Sequence, residues 1–150
     1  MTVNQKGSVT RETNFEDMNM QKASDVFGKL IYTYTRSQAI ADGVLVDLMQ
    51  GEMLEVCRQH YKFPIACTAA VFSIMEKAVN NPRYGNDYAG ILHDMLWMSK
   101  AMGRTLDVST VVFRCIVQGA GRSKYHDFKI QVHPGDQGEP VITILMPGED

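Results

Sequence analysis

The chain has 150 residues, 45% hydrophobic and 21% charged, with a formal net charge of −2. That size suits one domain with one sizeable core. The near-neutral charge argues against a generic polyanion binder, whose affinity comes mainly from basic charge, and leaves only a local basic patch open.

Cys57, Cys67 and Cys115 are odd in number and lack the spacing of a disulfide framework. No secretory apolar segment opens the sequence, so reduced thiols in a cytoplasmic setting are expected. No apolar run approaches the ~20 residues that span a bilayer, and no membrane partner is expected. The ten methionines are read first as core filling and second as an adaptable surface.

Residues 1–24 are polar without a sustained period, which predicts a flexible N-terminal tail. Phe15, Met18 and Met20 are its large sticky residues. A single domain is expected over 25–150. The β-branched and aromatic run Leu30–Thr35 reads as a short strand. Thr35 is placed to cap a short helix, Arg36–Asp42, which Gly43 ends. Val44-Leu45-Val46 is a short buried run, and Asp47 can cap a helix over Leu48–Tyr61 that Gly51 weakens. Lys62-Phe63-Pro64 breaks it. A second long helix starts at Cys67 or Thr68 and stops at Asn80-Asn81-Pro82. A third, Tyr88–Met102, is capped by Asn86 or Asp87, carries Trp97 and ends at Gly103.

The period then falls to two. Val108–Val117, Tyr125–Val132 and Pro140–Met146 read as strands joined by Gly119–Ser123 and Pro134–Gly138. Tight connections imply an antiparallel meander with one apolar face in need of cover. The expected fold is α+β: three long helices on one face of a small antiparallel sheet of three to four strands, the fourth from Leu30–Thr35.

Two blocks carry a family likeness. Ile31–Met49, IYTYTRSQAIADGVLVDLM, and Pro134–Asp150, PGDQGEPVITILMPGED, resemble the two end blocks of an uncharacterised bacterial and phage domain family. The likeness covers about 26–150. It implies kinship with proteins of phages, plasmids and other mobile elements, and supplies no catalytic set. The matching polar positions are Tyr34, Thr35, Arg36, Asp42, Asp47, Asp136, Glu139, Glu149 and Asp150.

Arg36, Asp42 and Asp47 are the sharpest polar group. They read as an anion-binding arginine oriented by carboxylates, or, as we prefer, as helix caps with an arginine tying loop carbonyls. Asp136, Glu139, Glu149 and Asp150 can form an acidic patch for a basic partner, set against ordinary solvated charge. Arg114, Arg122, Lys124 and Lys129, with Tyr125 and Phe128 between them, offer a weak nucleic-acid surface. Cys57-x-x-His60 lacks a fourth zinc ligand, and His93 beside Asp94 points about 100° away from it on a helix. No metal and no cofactor is expected. With no catalytic constellation in view, the leading expectation is a non-enzymatic accessory protein of a mobile element that binds a host or phage protein, including one of a host defence system. A nucleic-acid-binding accessory and a small enzyme at Arg36, Asp42 and Asp47 follow. An unpaired sheet edge can also support a homodimer.

Overall fold

The computed structural model describes residues 34–150. The expected flexible tail, and the Leu30–Thr35 strand up to residue 33, lie outside the described residues. The chain divides between Gln38 and Ala39, and the fold below is that of Ala39–Asp150.

Just before that division, Thr35 and Gln38 form a reciprocal cap. Thr35 Oγ1 accepts from the Gln38 N–H at 3.0 Å and Gln38 Oε1 accepts from the Thr35 N–H at 2.9 Å. They open helix α1, Arg36–Ala41. Past Ala41, Gly43 takes a φ of +79°, where L side chains are strained, and the Val44 N–H returns to the Ala39 carbonyl at 2.9 Å. The chain then runs through β1 (Leu45–Asp47), α2 (Gly51–His60), β2 (Ile65–Thr68), α3 (Ala69–Asn80), α4 (Tyr88–Ala101), β3 (Arg104–Asp107), β4 (Thr110–Ile116), β5 (Tyr125–Pro134) and β6 (Pro140–Leu145).

The strands form one six-stranded sheet in the order β1-β2-β6-β5-β4-β3. Every pairing is antiparallel except β2 with β6, where Ile65 lies opposite Ile142 and Cys67 opposite Ile144. The class is α+β as expected. The architecture corrects the rest: a mixed six-stranded sheet replaces the small antiparallel one, and short helices replace three long ones. Three strands escaped the pattern for physical reasons. β1 has three residues, too few for a period. β2 is buried along its whole length, so it shows no alternation, and Pro64 before it reads as a breaker. β3, RTLD, is exposed throughout and has no apolar face to detect.

The expected caps are largely met. Thr68 Oγ1 accepts from the Val71 N–H at 3.4 Å and starts α3, and Asp87 Oδ1 accepts from the Gly90 N–H at 2.7 Å and starts α4. Asp47 is not the cap of α2. Gln50 holds that position without a side-chain bond, and Asp47 Oδ1 accepts from the Met49 N–H at 3.0 Å in the preceding turn.

The core lies between one sheet face and α2, α3 and α4. Phe113, Phe128, Ile130, Ile142, Ile144 and Ile65 share it with Val71, Met75, Leu92, Met95 and Leu96. Side chains alternate along a strand, so the next positions (Arg114, Asp127, Lys129, Thr143) lie on the other face.

Candidate functional site

The helix α4 presents two stripes. Ile91, Leu92, Met95, Leu96 and Ser99 are buried against the sheet. Trp97 falls outside that stripe, since it lies about 100° from Leu96 around the helix. It is 58% exposed although it is the only tryptophan.

Trp97 and its neighbours Met98 and Met102 overhang the edge of β4. β3 pairs with β4 only through Thr110, Val111 and Val112. Beyond Val112, no described strand covers that edge. There a groove of about 450 Å³ is lined by Trp97, Met98, Met102, Ile116, Tyr125 and Arg114. Met102, Ile116 and Tyr125 are each at least half exposed. Most soluble surfaces scatter such side chains singly, whereas these converge on one strand edge that no described strand covers. Arg114 is fixed at the margin of the groove. Its Nε and Nη2 donate to Asp127 at 2.7 and 3.2 Å across the β4–β5 pair. Those hydrogen bonds hold the Asp127 carboxyl below its ordinary range and raise the guanidinium.

A second cavity, about 740 Å³, opens on the other sheet face. Asp42, Thr68, His133, Thr143, Glu149 and Asp150 are among its walls. Parts of the two family-like blocks, far apart in sequence, meet here because β2 joins β6 in parallel and brings Thr68 to the Pro147–Asp150 segment. Glu149 Oε1 accepts from Thr68 Oγ1 at 2.7 Å and from the Met146 N–H at 2.8 Å. Lys129 is 8% exposed, and its ammonium donates to the carbonyls of Glu149 and Pro147. His133 Nε2 and Thr143 Oγ1 share a hydrogen bond of 2.7 Å.

The residues singled out from the sequence thus separate. Asp42, Glu149 and Asp150 come together at the second cavity. Asp47 serves the turn before α2, and Arg36 opens α1. Glu139 Oε1 accepts from the Gln137 N–H at 2.8 Å within the β5–β6 hairpin that also carries Asp136. Of the basic set, Arg114 and Lys124 flank the Tyr125 ring, at 5.9 and 5.4 Å from its centroid. Arg122 sits exposed in the β4–β5 connection, and Lys129 is turned to main-chain carbonyls.

All three thiols are buried. Burial pushes Cys57 up to about 11 and Cys67 and Cys115 up to about 12, so each is protonated at neutral pH. Cys57 Sγ faces the Leu48 carbonyl at 3.7 Å, while His60 Nε2 meets His93 Nδ1 at 3.0 Å, so the Cys57-x-x-His60 pair diverges. Among the described residues no group of three or more His, Cys, Asp or Glu is arranged for a metal ion. No described helix is long and apolar enough to cross a membrane. Sequence reasoning missed the Trp97 groove; the available signal was a tryptophan displaced from the 91-92-95-96 stripe.

These features define an α+β domain on a mixed sheet, with an apolar groove along a β4 edge that no described strand covers. Residues 18–150 match the family of unknown function DUF6573, and the chain belongs to that family. No curated protein and no solved structure matches it significantly.

Proposed function

We propose that this protein acts by binding an extended segment of a partner protein along β4, with an apolar side chain of that segment seated against Trp97. The observation that carries this reading is the groove itself. It joins a strand edge free of any described strand, which offers main-chain hydrogen bonds to an added strand, to a cluster of exposed large apolar side chains that offers specificity. The same residues face water in the isolated chain, so covering them supplies hydrophobic free energy. The resemblance to proteins of phages and plasmids makes a host or phage protein the expected partner, with a host defence component among the candidates.

The test pairs capture with mapping. Tagged wild-type protein and Trp97→Ala are used as bait in lysate of the native host, with and without nuclease, and retained proteins are identified by mass spectrometry. The partner is then added back for amide hydrogen exchange. Capture that survives nuclease, falls at least tenfold in Trp97→Ala, and protects amides in residues 113–117 supports the reading. Capture indifferent to Trp97→Ala sinks it. Retention only without nuclease moves the function to nucleic acid and to Arg114, Arg122 and Lys124.

A further inference from the structure

A different observation on α4 carries an inference of its own. His93, Trp97 and Lys100 follow at spacings of four and three, so they share one helix face. That face meets the end of α2. There His60 Nε2 and His93 Nδ1 stand 3.0 Å apart, with ring centroids at 4.9 Å and planes tilted by 52°. Two imidazoles from two different helices thus turn a nitrogen toward each other.

We infer that His60 and His93 form a two-imidazole binding site for a late first-row divalent metal ion that places two nitrogens in adjacent positions about 90° apart. Metal–nitrogen bonds of about 2.05 Å reach two nitrogens 3.0 Å apart at an angle of about 94°. The donor chemistry selects the ion: imidazole suits late first-row ions such as Cu²⁺ and Ni²⁺, and not the oxygen-seeking Mg²⁺ and Ca²⁺. Binding replaces the N–H···N hydrogen bond between the two neutral rings: the donating ring carries its proton on its other nitrogen instead, so that both facing nitrogens offer a lone pair, and the other positions go to water. The surroundings set its strength. Lys100 donates its ammonium to the His60 carbonyl, and that charge opposes a dication. Asp94, next to His93, lines the neighbouring cavity of about 700 Å³ that His93 also faces.

Trp97 provides the readout. Its ring centroid lies 6.3 Å from that of His93, and a paramagnetic ion at His93 quenches indole fluorescence at such a range. The untagged full chain is titrated with NiCl₂ near pH 7.5, following Trp97 emission and heat, with MgCl₂ in parallel. One Ni²⁺ is expected per chain, with quenching, and none of either with Mg²⁺. His60→Ala and His93→Ala each weaken binding at least tenfold, His133→Ala leaves it unchanged, and Lys100→Gln tightens it about threefold. Far-UV circular dichroism identical to wild type establishes that each variant is folded; His93→Gln, which keeps the bulk, replaces any variant that is not. Absence of quenching up to millimolar Ni²⁺ overturns the site. Equal binding in wild type, His60→Ala and His93→Ala marks an adventitious ion only and overturns it as well.

Discussion

Glu149 holds the segment after β6 against the sheet, and its removal is the perturbation with the clearest arithmetic. One carboxylate oxygen accepts two hydrogen bonds, from Thr68 Oγ1 at 2.7 Å and from the Met146 N–H at 2.8 Å. Thr68 is 9% exposed, and the same hydroxyl caps α3. Hydrogen bonds to a charged acceptor contribute roughly 1.5–3 kcal/mol each when buried. Glu149 is only half-buried, so the lower end applies, and Glu149→Ala should cost about 2–3 kcal/mol. Glu149→Gln keeps a carbonyl oxygen in place and should cost about 1 kcal/mol. Thr68→Val removes the other partner and the cap together, for about 1–2 kcal/mol.

Urea unfolding followed by far-UV circular dichroism measures all three; Trp97 is too exposed to report the core. The decisive quantity is the coupling of Glu149→Ala with Thr68→Val, expected at about 1–2 kcal/mol with an unchanged denaturant slope. A coupling within about 0.3 kcal/mol of zero would refute the clasp, since independent sites add to that tolerance. Lys129→Met sharpens the logic. It removes a nearly buried ammonium whose carbonyl partners can turn to water, so its cost should stay below about 1 kcal/mol.

Gly103→Ala should destabilise by about 2–4 kcal/mol in the same assay, because a Cβ there would stand 2.1 Å from the Ser99 carbonyl oxygen and 2.5 Å from Val111 Cγ1; a loss under about 0.5 kcal/mol would show that α4 and β4 can part easily. The three thiols should ignore an aromatic disulfide reagent in native protein at pH 8 and react together on unfolding; fast labelling of any one contradicts its burial. Their raised values also fix a sign. The unfolded thiols ionise near 9 and the folded ones only at about 11 to 12, so this contribution is complete below pH 9 and is lost as pH rises towards 12. Cys67→Ala should therefore flatten the alkaline fall in stability measured by urea midpoints. His126 Nε2 is buried without a hydrogen-bond partner among the described residues, beside the Phe128 ring at 6.4 Å; His126→Phe should raise stability by about 0.5–1 kcal/mol, and a loss would point to a polar partner for that nitrogen.

The elements legible in the sequence are those whose signal is local. A cap needs only a hydroxyl or carboxylate and the amide three residues on, so Thr35, Thr68 and Asp87 were readable, as was the left-handed Gly43. In β5, Phe128, Ile130 and Val132 alternate with Asp127, Lys129 and Gln131, a period of two, whereas β6 is buried from Val141 to Leu145 and is legible from its β-branched run between turn residues. What could not be read is non-local. β2 has neither period nor length, and its identity as a strand comes only from Ile142 and Ile144 beside it, almost eighty residues later. The same parallel pairing decides the chemistry of the polar residues. Asp47, preferred as a helix cap over a member of an arginine–carboxylate group, accepts from the Met49 N–H in the turn before the helix, while Glu149, set against solvated charge, meets Thr68 across the sheet. Trp97 lies on a helix that is apolar on more than one side. An apolar residue off the buried stripe has no local mark of what it meets, and the uncovered end of β4 becomes visible only once β3 is seen to stop pairing at Val112. The groove is therefore a product of a mismatch in strand length, with β4 running on past its neighbour under an overhanging helix. Lengthening β3 by two residues to pair with Phe113 and Arg114 should close the edge while leaving Trp97 in place, which separates main-chain capture of a partner from simple apolar adhesion.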